Sequence, residues 1–496
     1  IAPPAADIAH PVFSKMFVET EYVARYGAIL ATRRRRSLDE AEVWAAHHSV
    51  SSHDGVAKVE FETDRARFLG RGLGVRTPVA AIDDRLLSRS TGAVLDPVFV
   101  LRRRISLAPG TTVRIDFWTL VAASRENLID VIDKTNDISA FERAVTLAWT
   151  QSQVELHHLG IDRDEASAFQ SLAGHLIYAG PSLRPSSEVI MRGAGPQSGL
   201  WQQSISGDLP IILLRIANIE DIRIVHQLLQ AMEYWRARRL EVDLIILNER
   251  ASSYVQDLQT AIETTLRTSQ ARPPASAEGA TGQVFVLRVD LIPPETSALL
   301  ASVARVRLTG DGGGLSEQLG RIKEPVTPTR TARNVSGLGS QPRVAASPKL
   351  EFFNGLGGFA EDGREYVITL GPGQSTPAPW INVVANQGFG FQVSAEGCGF
   401  CWSVNSREHQ LTPWSNDPVT DRPGEAIYLR DEDSGELWSP TALPIRDDSG
   451  VYVARHGWGY SRFEYEAHGI SSELLSFVPV ADPIKLTRLK LRNTTN

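Results

Sequence analysis

The chain has 496 residues, the length of about three average domains at ~150 residues each. Its 42% hydrophobic and 22% charged residues are typical of a soluble globular protein and exclude a wholly disordered, collagen-like or fibrous chain. The 51 basic and 58 acidic side chains give a net charge of −7, which provides no global attraction for nucleic acid. We therefore expect no nucleic-acid partner.

Cysteine content and apolar runs limit the compartment and the membrane behaviour. Two cysteines cannot build a disulfide framework, which is typical of a reducing compartment. The longest apolar runs, at 209–216 and 242–247, are much shorter than the ~20 residues that cross a bilayer, and no signal-peptide pattern opens the chain. We expect no direct membrane insertion and, because the chain begins without methionine, a piece of a longer protein.

Residues 1–123 are predicted to form a β-sandwich portion. Short segments with partial alternation of apolar and polar residues are separated by Gly, Pro, Asp and Ser turns, and no helical period intervenes. A cluster of such strands favours a sandwich or barrel over a parallel α/β sheet. The predicted strands cover residues 25–32, 56–61, 105–107 and 112–120.

Residues 124–268 are predicted to be a helical region. Ser124 and Asp137 are candidate helix N-caps, and apolar residues then recur at three and four positions. The apolar runs at 209–216 and 242–247 fit buried strands and buried helical turns equally well. The further predicted helices cover residues 165–178, 219–238 and 251–268.

Residues 269–349 are predicted to be a flexible linker. From 272 to 349 the chain contains no Trp or Tyr and one Phe, so little apolar surface offsets the entropy of ordering. A small strand–helix–strand element between 283 and 308 is the ordered part that we expect.

Residues 350–496 are predicted to form a second β-sandwich portion, because they return to a β pattern; they also hold five of the ten tryptophans. The resulting fold class is α+β and mainly β.

Cysteine and glycine motifs carry little chemistry. Cys398-Gly-Phe-Cys401 is a lone cysteine pair without the further ligands that a structural zinc site needs. The glycine-rich segments 70–74 and 310–314 lack the lysine and hydroxyl of a nucleotide-binding P-loop. We therefore predict no metal site and no nucleotide site.

Residues 376–421 combine tryptophans with Asn, Asp and Arg at high density. Sugars are bound by aromatic faces that stack on their C–H surfaces and by polar side chains that hydrogen-bond the ring hydroxyls. The alternative is that the same groups pack the corners of a sandwich and satisfy its turns. The predicted sugar-contacting residues are Trp380, Asn382, Trp402, Asn405, Arg407, Trp414, Asn416 and Asp417.

Several longer motifs resemble one family of carbohydrate-active enzymes. Residues 352–359, 362–366, 402–408 and 411–418 resemble the opening part of the β-super-sandwich of glycoside phosphorylases of the cellobiose-phosphorylase type. Residues 61–70 resemble the closing half of such a sandwich. Over nearly the whole chain outside the linker, the resemblance is closest to the phosphorylase-like C-terminal region of the cyclic β-1,2-glucan synthase family.

The resemblance implies two super-sandwich portions, 1–123 and 350–496, flanking the helical region. It also implies a parent synthase at the cytoplasmic side of the inner membrane, which polymerises glucose from UDP-glucose and closes the chain into a ring. In this family the phosphorylase-like region is linked to chain-length control. UDP-glucose and a divalent metal are then expected in a part of the parent outside this chain, and no cofactor within it.

Phosphorylases of this type hold their general acid on a helical barrel after the sandwich, which we expect to lie outside this chain. The resemblance therefore implies no catalytic residue. It implies a scaffold that contacts β-glucan or an oligosaccharide, has the remainder of the synthase as its partner, and is soluble but inactive as an isolated fragment.

Two alternatives and one assembly prediction accompany this interpretation. The chain is alternatively a stand-alone carbohydrate-binding protein, or a self-sufficient inverting β-glucan phosphorylase or hydrolase that uses Asp208, Asp417 or Asp421. Each sandwich half alone would expose an apolar sheet face and unpaired strand edges. We therefore expect the halves to pair, within one chain or by self-association of two chains.

Overall fold

The computed structural model describes residues 11–37, 39–52, 59–178, 180–250, 256–270, 282–322, 349–360 and 363–495. The chain divides into two compact units. The sandwich unit consists of Ile1–Phe141 together with Ala332–Asn496, and the α/β unit consists of Glu142–Thr331. The predicted strand at 56–61, the predicted helix at 251–268 and the predicted linker lie partly outside the described residues.

The first half of the sandwich unit is antiparallel. Its strands are β1 (Val18–Val23), β2 (Ala28–Arg33), β3 (Trp44–Ser51), β4 (Glu60–Asp64), β5 (Gly92–Ala93), β6 (Pro97–Arg102) and β7 (Ile115–Ala122). Its helices are α1 (Pro11–Lys15), α2 (Arg65–Leu69), α3 (Val79–Ile82) and α4 (Arg125–Thr135). Five strands form a sheet in the order β5–β1–β2–β3–β7, and β4 pairs with β6.

Helix α4 covers this sheet through a small apolar core. The predicted cap is confirmed at its start, where the Ser124 hydroxyl oxygen accepts the backbone N–H of Asn127 at 3.2 Å. Leu128 and Ile132, four residues apart on one helix face, are fully buried against Leu30 of β2. This apolar contact therefore packs α4 onto the sheet at β2.

The predicted strand at 105–107 is wrong. Strand β6 ends at Arg102, and the next two arginines bind other parts of the half instead. The Arg103 Nε donates to the Ser49 hydroxyl at 2.7 Å, and the Arg104 Nε donates to the buried carboxylate of Glu60 at 2.9 Å. Residues 105–107, which follow this basic run with partial alternation of apolar residues, therefore form no strand.

The α/β unit is built on a parallel sheet. Its strands are β8 (Ile211–Ile216), β9 (Asp243–Asn248), β10 (Val284–Arg288) and β11 (Val306–Thr309), in the sheet order β10–β9–β8–β11. Its helices are α5 (Ala140–Leu159), which begins within the sandwich unit, α6 (Arg163–Tyr178), α7 (Ser187–Arg192), α8 (Ser198–Trp201), α9 (Ile222–Ala237), α10 (Asp257–Gln270), α11 (Pro294–Val303) and α12 (Leu315–Gly320).

Both faces of this sheet are buried. Ile212 and Leu214 belong to the core that α6 and α9 share, whereas Leu213 and Ile245 belong to the core on the α11 side. Strands buried on both faces are continuously apolar, which is why the period of the sequence could not separate them from helical turns. Strands β10 and β11, with α11 between them, lie where the strand–helix–strand element was expected between 283 and 308, and they belong to the same unit as the preceding helices.

The second half of the sandwich unit is again antiparallel. Its strands are β12 (Gly357–Ala360), β13 (Glu365–Leu370), β14 (Ile381–Ala385), β15 (Phe389–Ser394), β16 (Gly399–Ser403), β17 (Leu429–Arg430), β18 (Leu437–Trp438), β19 (Tyr452–Gly457), β20 (Tyr460–Ala467), β21 (Ile470–Phe477) and β22 (Leu486–Asn493). They form sheets in the orders β12–β13–β19–β20–β21–β22, β14–β15–β16 and β17–β18.

The two halves of the sandwich unit contact each other within one chain. Arg65 at the start of α2 pairs with Asp417, and Arg71 pairs with Glu396. The two halves therefore contact each other within one compact unit, whereas pairing through their sheet faces or edges and self-association of two chains stay predictions. The α+β fold class, with antiparallel sheets before and after the middle unit, is also confirmed, but the region predicted to be helical contains a parallel sheet as well. Across the described ranges, no helix combines the length and apolarity that a membrane crossing requires.

Candidate functional site

A cleft of about 310 Å³ lies beside the β14–β15–β16 sheet in the second half of the sandwich unit. One wall consists of the sheet and the loop that precedes it. The other wall consists of residues 414–422, which we name the cleft loop. The polar and aromatic side chains that line the cleft are Gln392, Trp414, Ser415, Asn416, Asp417, Asp421 and Arg422.

Aromatic stacking holds one side of the cleft in place. The Trp414 ring, 44% exposed, stacks on Phe400 with ring centroids 5.1 Å apart and planes 15° apart. Phe400 in turn lies against Trp402, at 5.2 Å between centroids. Trp402 is buried and covers Gly390 so closely that a Cβ there would lie 2.4 Å from the indole ring. Trp414 thus presents an aromatic face, and Trp402 supports it from the core.

The cleft loop has an unusual backbone for its residue types. Asn416 has φ of 43° and Asp421 has φ of 45°, in the left-handed region that costs energy for residues other than glycine. Between them, one Asp417 carboxylate oxygen accepts the backbone N–H groups of Val419 at 3.0 Å and Thr420 at 3.1 Å. These hydrogen bonds hold the turn that carries Asn416 into the cleft wall.

Asp417 is bound by an arginine from the first half of the unit. The two guanidinium nitrogens of Arg65 donate to its two carboxylate oxygens at 3.0 and 2.7 Å. Burial favours the neutral acid, but the Arg65 and Thr420 hydrogen bonds outweigh it and hold the pKa of Asp417 far below its usual range. Asp417 is therefore an ionised structural anchor and cannot supply a proton.

Asp421 has the opposite environment. It accepts the Ser394 hydroxyl at 2.7 Å, lies 3.7 Å from Arg71, and is nearly buried. Burial raises the pKa of Asp421 to about 6, and the negative charge of Glu396 acts in the same direction. The cleft thus contains one carboxyl group that changes charge near neutral pH.

Replacing Asp421 by asparagine is expected to change stability in a pH-dependent way. Because the folded pKa lies above the ordinary 3.8, the stabilisation from the protonated acid is complete below about pH 4 and is lost as the pH rises through about 6. The neutral amide does not lose this stabilisation. The free energy of unfolding of the variant, relative to that of the parent, should therefore rise by about 2–3 kcal/mol from pH 4 to pH 8. Urea unfolding at both pH values measures the difference.

The exposed Asp433→Asn variant is the matched control for this measurement. It removes one carboxylate from the same half without touching the cleft. A difference between Asp421→Asn and the parent that is the same at pH 4 and pH 8 would contradict the assignment.

The predicted sugar-contacting residues separate into two groups. Trp414, Asn416 and Asp417 come together on the cleft, whereas the other five do not line it. Trp402 lies in the core, and Trp380 packs half-buried against the core of the six-stranded sheet. As sugar contacts, all eight remain predictions.

The remaining three residues support turns and strands. The Asn382 amide donates to the Gly457 and Tyr460 carbonyls at 3.2 and 2.9 Å. The Asn405 side chain accepts the backbone N–H of Arg407 at 2.9 Å, and the exposed Arg407 lies 3.3 Å from Glu408. For Asn382 and Asn405, the geometry matches the alternative that amides satisfy the corners of a sandwich.

Sequence reasoning missed several residues around the cleft. Gln392 and Arg422 line it, but no spacing marks them, because they reach the cleft from a strand and a loop. Arg65 and Arg71 were missed as partners of the cleft loop. Their only signal was their place in or beside the motif at 61–70, which resembled the super-sandwich family.

Of the other candidate groups, Asp208 does not line the cleft, whereas Cys398 of the C-x-x-C pair borders it. Asp208 belongs to the α/β unit, where it accepts the Gln197 amide at 2.9 Å. The cysteines of the C-x-x-C pair are free and buried, and burial raises the pKa of both thiols. No group of three potential metal ligands occurs among the residues with described positions.

The sandwich unit is assembled from two segments of one chain, with antiparallel sheets in both segments. The Glycosyl hydrolase 94 supersandwich domain matches residues 1–138 and 364–496, which is more than half of the chain. The chain belongs to this family.

Individual relatives agree with this assignment. Cyclic beta-(1,2)-glucan synthase NdvB of Rhizobium meliloti (strain 1021) is 39% identical over 502 residues, covering 99% of this chain and 18% of the synthase. N,N'-diacetylchitobiose phosphorylase of Vibrio proteolyticus is 33% identical over 142 residues, covering 28% of this chain and 17% of the enzyme. Solabiose phosphorylase of Paenibacillus borealis is 30% identical over 141 residues, covering 28% of this chain and 18% of the enzyme. The matches thus span less than a fifth of each relative, and the predicted resemblance is confirmed.

Proposed function

We propose that the chain is a glucan-contacting, non-catalytic scaffold within a cyclic β-1,2-glucan synthase. The similarity to NdvB over 99% of the chain supports the choice of parent. The observation that carries the contact with sugar is the cleft, where an exposed tryptophan face stands beside amide and guanidinium groups.

The chemistry of the cleft suits a neutral oligosaccharide. Trp414 offers an apolar face for the C–H side of a glucose ring, and it is already held by Phe400. Asn416, Gln392 and Arg422 offer donors and acceptors for hydroxyl groups at the same cleft. Few polar groups around an aromatic surface are the usual composition of a small-molecule site.

The parent gives this scaffold its wider role. In our proposal it acts in chain-length control, with the remainder of the synthase as its partner, at the cytoplasmic side of the inner membrane. UDP-glucose and a divalent metal are assigned to other regions of the synthase. The cleft carboxylates support the non-catalytic assignment, because Asp417 is ion-paired with Arg65 and Asp421, which borders the cleft, is nearly buried and hydrogen-bonded to Ser394.

Replacing Trp414 by alanine is expected to weaken binding of linear β-1,2-glucooligosaccharides at least tenfold, about 1.4 kcal/mol. The physical reason is the loss of the stacking surface, while the supporting Phe400 and Trp402 remain. Isothermal titration calorimetry on the whole chain measures the affinity of parent and variant.

Trp458→Ala is the matched control, because this tryptophan is 85% exposed and does not line the cleft. It should bind as the parent does. Absence of binding by the unsubstituted chain would overturn the proposed contact with glucan. Release of glucose 1-phosphate from the same oligosaccharides and phosphate would overturn the non-catalytic assignment and favour a self-sufficient phosphorylase.

A further inference from the structure

We propose that Arg65 is a positioning residue for the cleft, because it holds the cleft loop in its sugar-binding shape from the other half of the sandwich unit. Residues 65–72, which comprise α2 and the three residues after it, are named the docking arm. The inference rests on the proposed glucan binding and adds its regulation: affinity at the cleft depends on the docking of the first half onto the second.

The strongest link of the docking arm is the Arg65 guanidinium. It binds both oxygens of Asp417 and also the Asp96 carboxylate, at 2.6 Å. Asp96 belongs to the same half as Arg65, so the guanidinium is fixed from its own side before it reaches the loop. A planar guanidinium bound to two carboxylates has little freedom, which suits it to define the position of one of them.

The end of the docking arm also binds the cleft loop, through hydrogen bonds to its backbone. The Val419 carbonyl accepts the Arg71 guanidinium at 3.1 Å and the backbone N–H of Gly72 at 2.9 Å. Gly72 has φ of 76°, which a side chain would oppose. Asp417 and Val419 are two residues apart, so the Arg65 ion pair and the hydrogen bonds to the Val419 carbonyl hold the same turn.

This turn positions the groups that face the cleft. Asp417 follows Asn416 directly and lies three residues after Trp414. Asn416 and Asp421 both have left-handed backbones that a free loop would tend to leave. The hydrogen bonds of Asp417 to Val419 and Thr420 depend on a carboxylate that Arg65 holds.

The consequence is a coupling between docking and sugar binding. Arg65 does not line the cleft, so its effect on a sugar must pass through Asp417. A site whose loop is already ordered binds more tightly than one that must be ordered on binding. Because coupling is reciprocal, bound sugar should in turn tighten the docking arm.

The test compares Arg65→Ala and Arg65→Lys with Arg25→Ala in the whole chain. Arg25 lies in the same half, and its side chain is 78% exposed, so its removal controls for the loss of one arginine. The ligand is a linear β-1,2-glucooligosaccharide, with affinity measured by calorimetry. Hydrogen exchange of residues 65–72 and 414–422 is measured with and without the ligand, and near-UV circular dichroism checks folding.

We expect Arg65→Ala to lose about tenfold or more in affinity, Arg65→Lys to keep part of it, and Arg25→Ala to match the parent. Hydrogen exchange at 414–422 should accelerate in Arg65→Ala, and ligand should slow exchange at 65–72 in the parent. A purely structural role would not produce this last effect. If Arg65→Ala fails to fold, the affinity and hydrogen exchange of Arg65→Lys test the positioning role instead.

Parental affinity in a folded Arg65 variant would overturn the positioning role while leaving the proposed function intact. Ligand that slows exchange at 414–422 but not at 65–72 in the parent would also overturn it. Absence of binding by the parent itself would overturn the proposed function and this role with it. The two failures are therefore distinguishable.

Discussion

Replacing Glu396 by glutamine is expected to lower the free energy of unfolding of the sandwich unit by about 3–5 kcal/mol. The Glu396 side chain is fully buried and lies 3.1 Å from Arg71 and 3.3 Å from Arg446. Both arginine side chains are themselves mostly buried, at 15% and 13% exposure. Removal of the carboxylate charge leaves two buried cations without their main counter-charge, and glutamine restores only the shape.

The measurement is urea unfolding of the whole chain, combined with hydrogen exchange at Phe389–Ser394 and Gly399–Ser403 to assign the loss to the sandwich unit. Glu432→Gln is the matched control. Its carboxylate is 79% exposed and lies 3.5 Å from Arg430, so its removal should change stability by less than about 0.5 kcal/mol. Equal effects of the two substitutions would show that the buried cluster does not hold the halves together.

The sequence predicted elements whose signal is local. The helix at 165–178 has a clear apolar period and corresponds to α6. The cap at Ser124 is likewise a matter of one side chain and the next three residues. Strands β8 and β9 stayed ambiguous because both sheet faces are buried, and burial on two sides erases the alternation that identifies a strand.

Composition and local pattern pointed in different directions between residues 282 and 309. The aromatic-poor composition indicated a linker, whereas the local pattern indicated the strand–helix–strand element that the structure contains as β10, α11 and β11. The two strands are short, and they gain their burial from β9 and β8, strands that lie well before them in the sequence. The composition of the long window therefore did not show that these two strands belong to the parallel sheet, because their burial comes from neighbours far away in the sequence.

The candidate site was predictable in its region and not in its details. The density of tryptophans and amides pointed to 376–421, where the cleft lies. Neither period nor spacing distinguishes Trp414 from Trp402, whose different exposure depends on the packing of β16 against Gly390. The Arg65–Asp417 pair joins residues 352 positions apart, so no local pattern could reveal it.

Replacing Gly193 by alanine is expected to lower the free energy of unfolding of the α/β unit by about 3 kcal/mol or more. Gly193 ends α7 where that helix meets α11, and an added Cβ would lie 2.0 Å from the Ala298 carbonyl oxygen and 2.8 Å from the Ser302 Cβ. The nearest obstacle is helix backbone, so relief requires the two helices to separate. Separation also strains the Ser302 hydroxyl bond to the Ile190 carbonyl, now 3.0 Å.

Gly174→Ala tests this reasoning with the same chemical change and the opposite expected sign. Gly174 lies inside α6, and beyond the backbone of that helix no atom lies within 4 Å of the place that an added Cβ would take. Alanine should therefore gain about 0.5–1 kcal/mol through the lower entropy of the unfolded chain. Urea unfolding, with hydrogen exchange at Pro294–Val303, measures both variants. If Gly193→Ala also gained stability, the close contact of α7 and α11 could not be what requires glycine there, and conformational entropy alone would govern both positions.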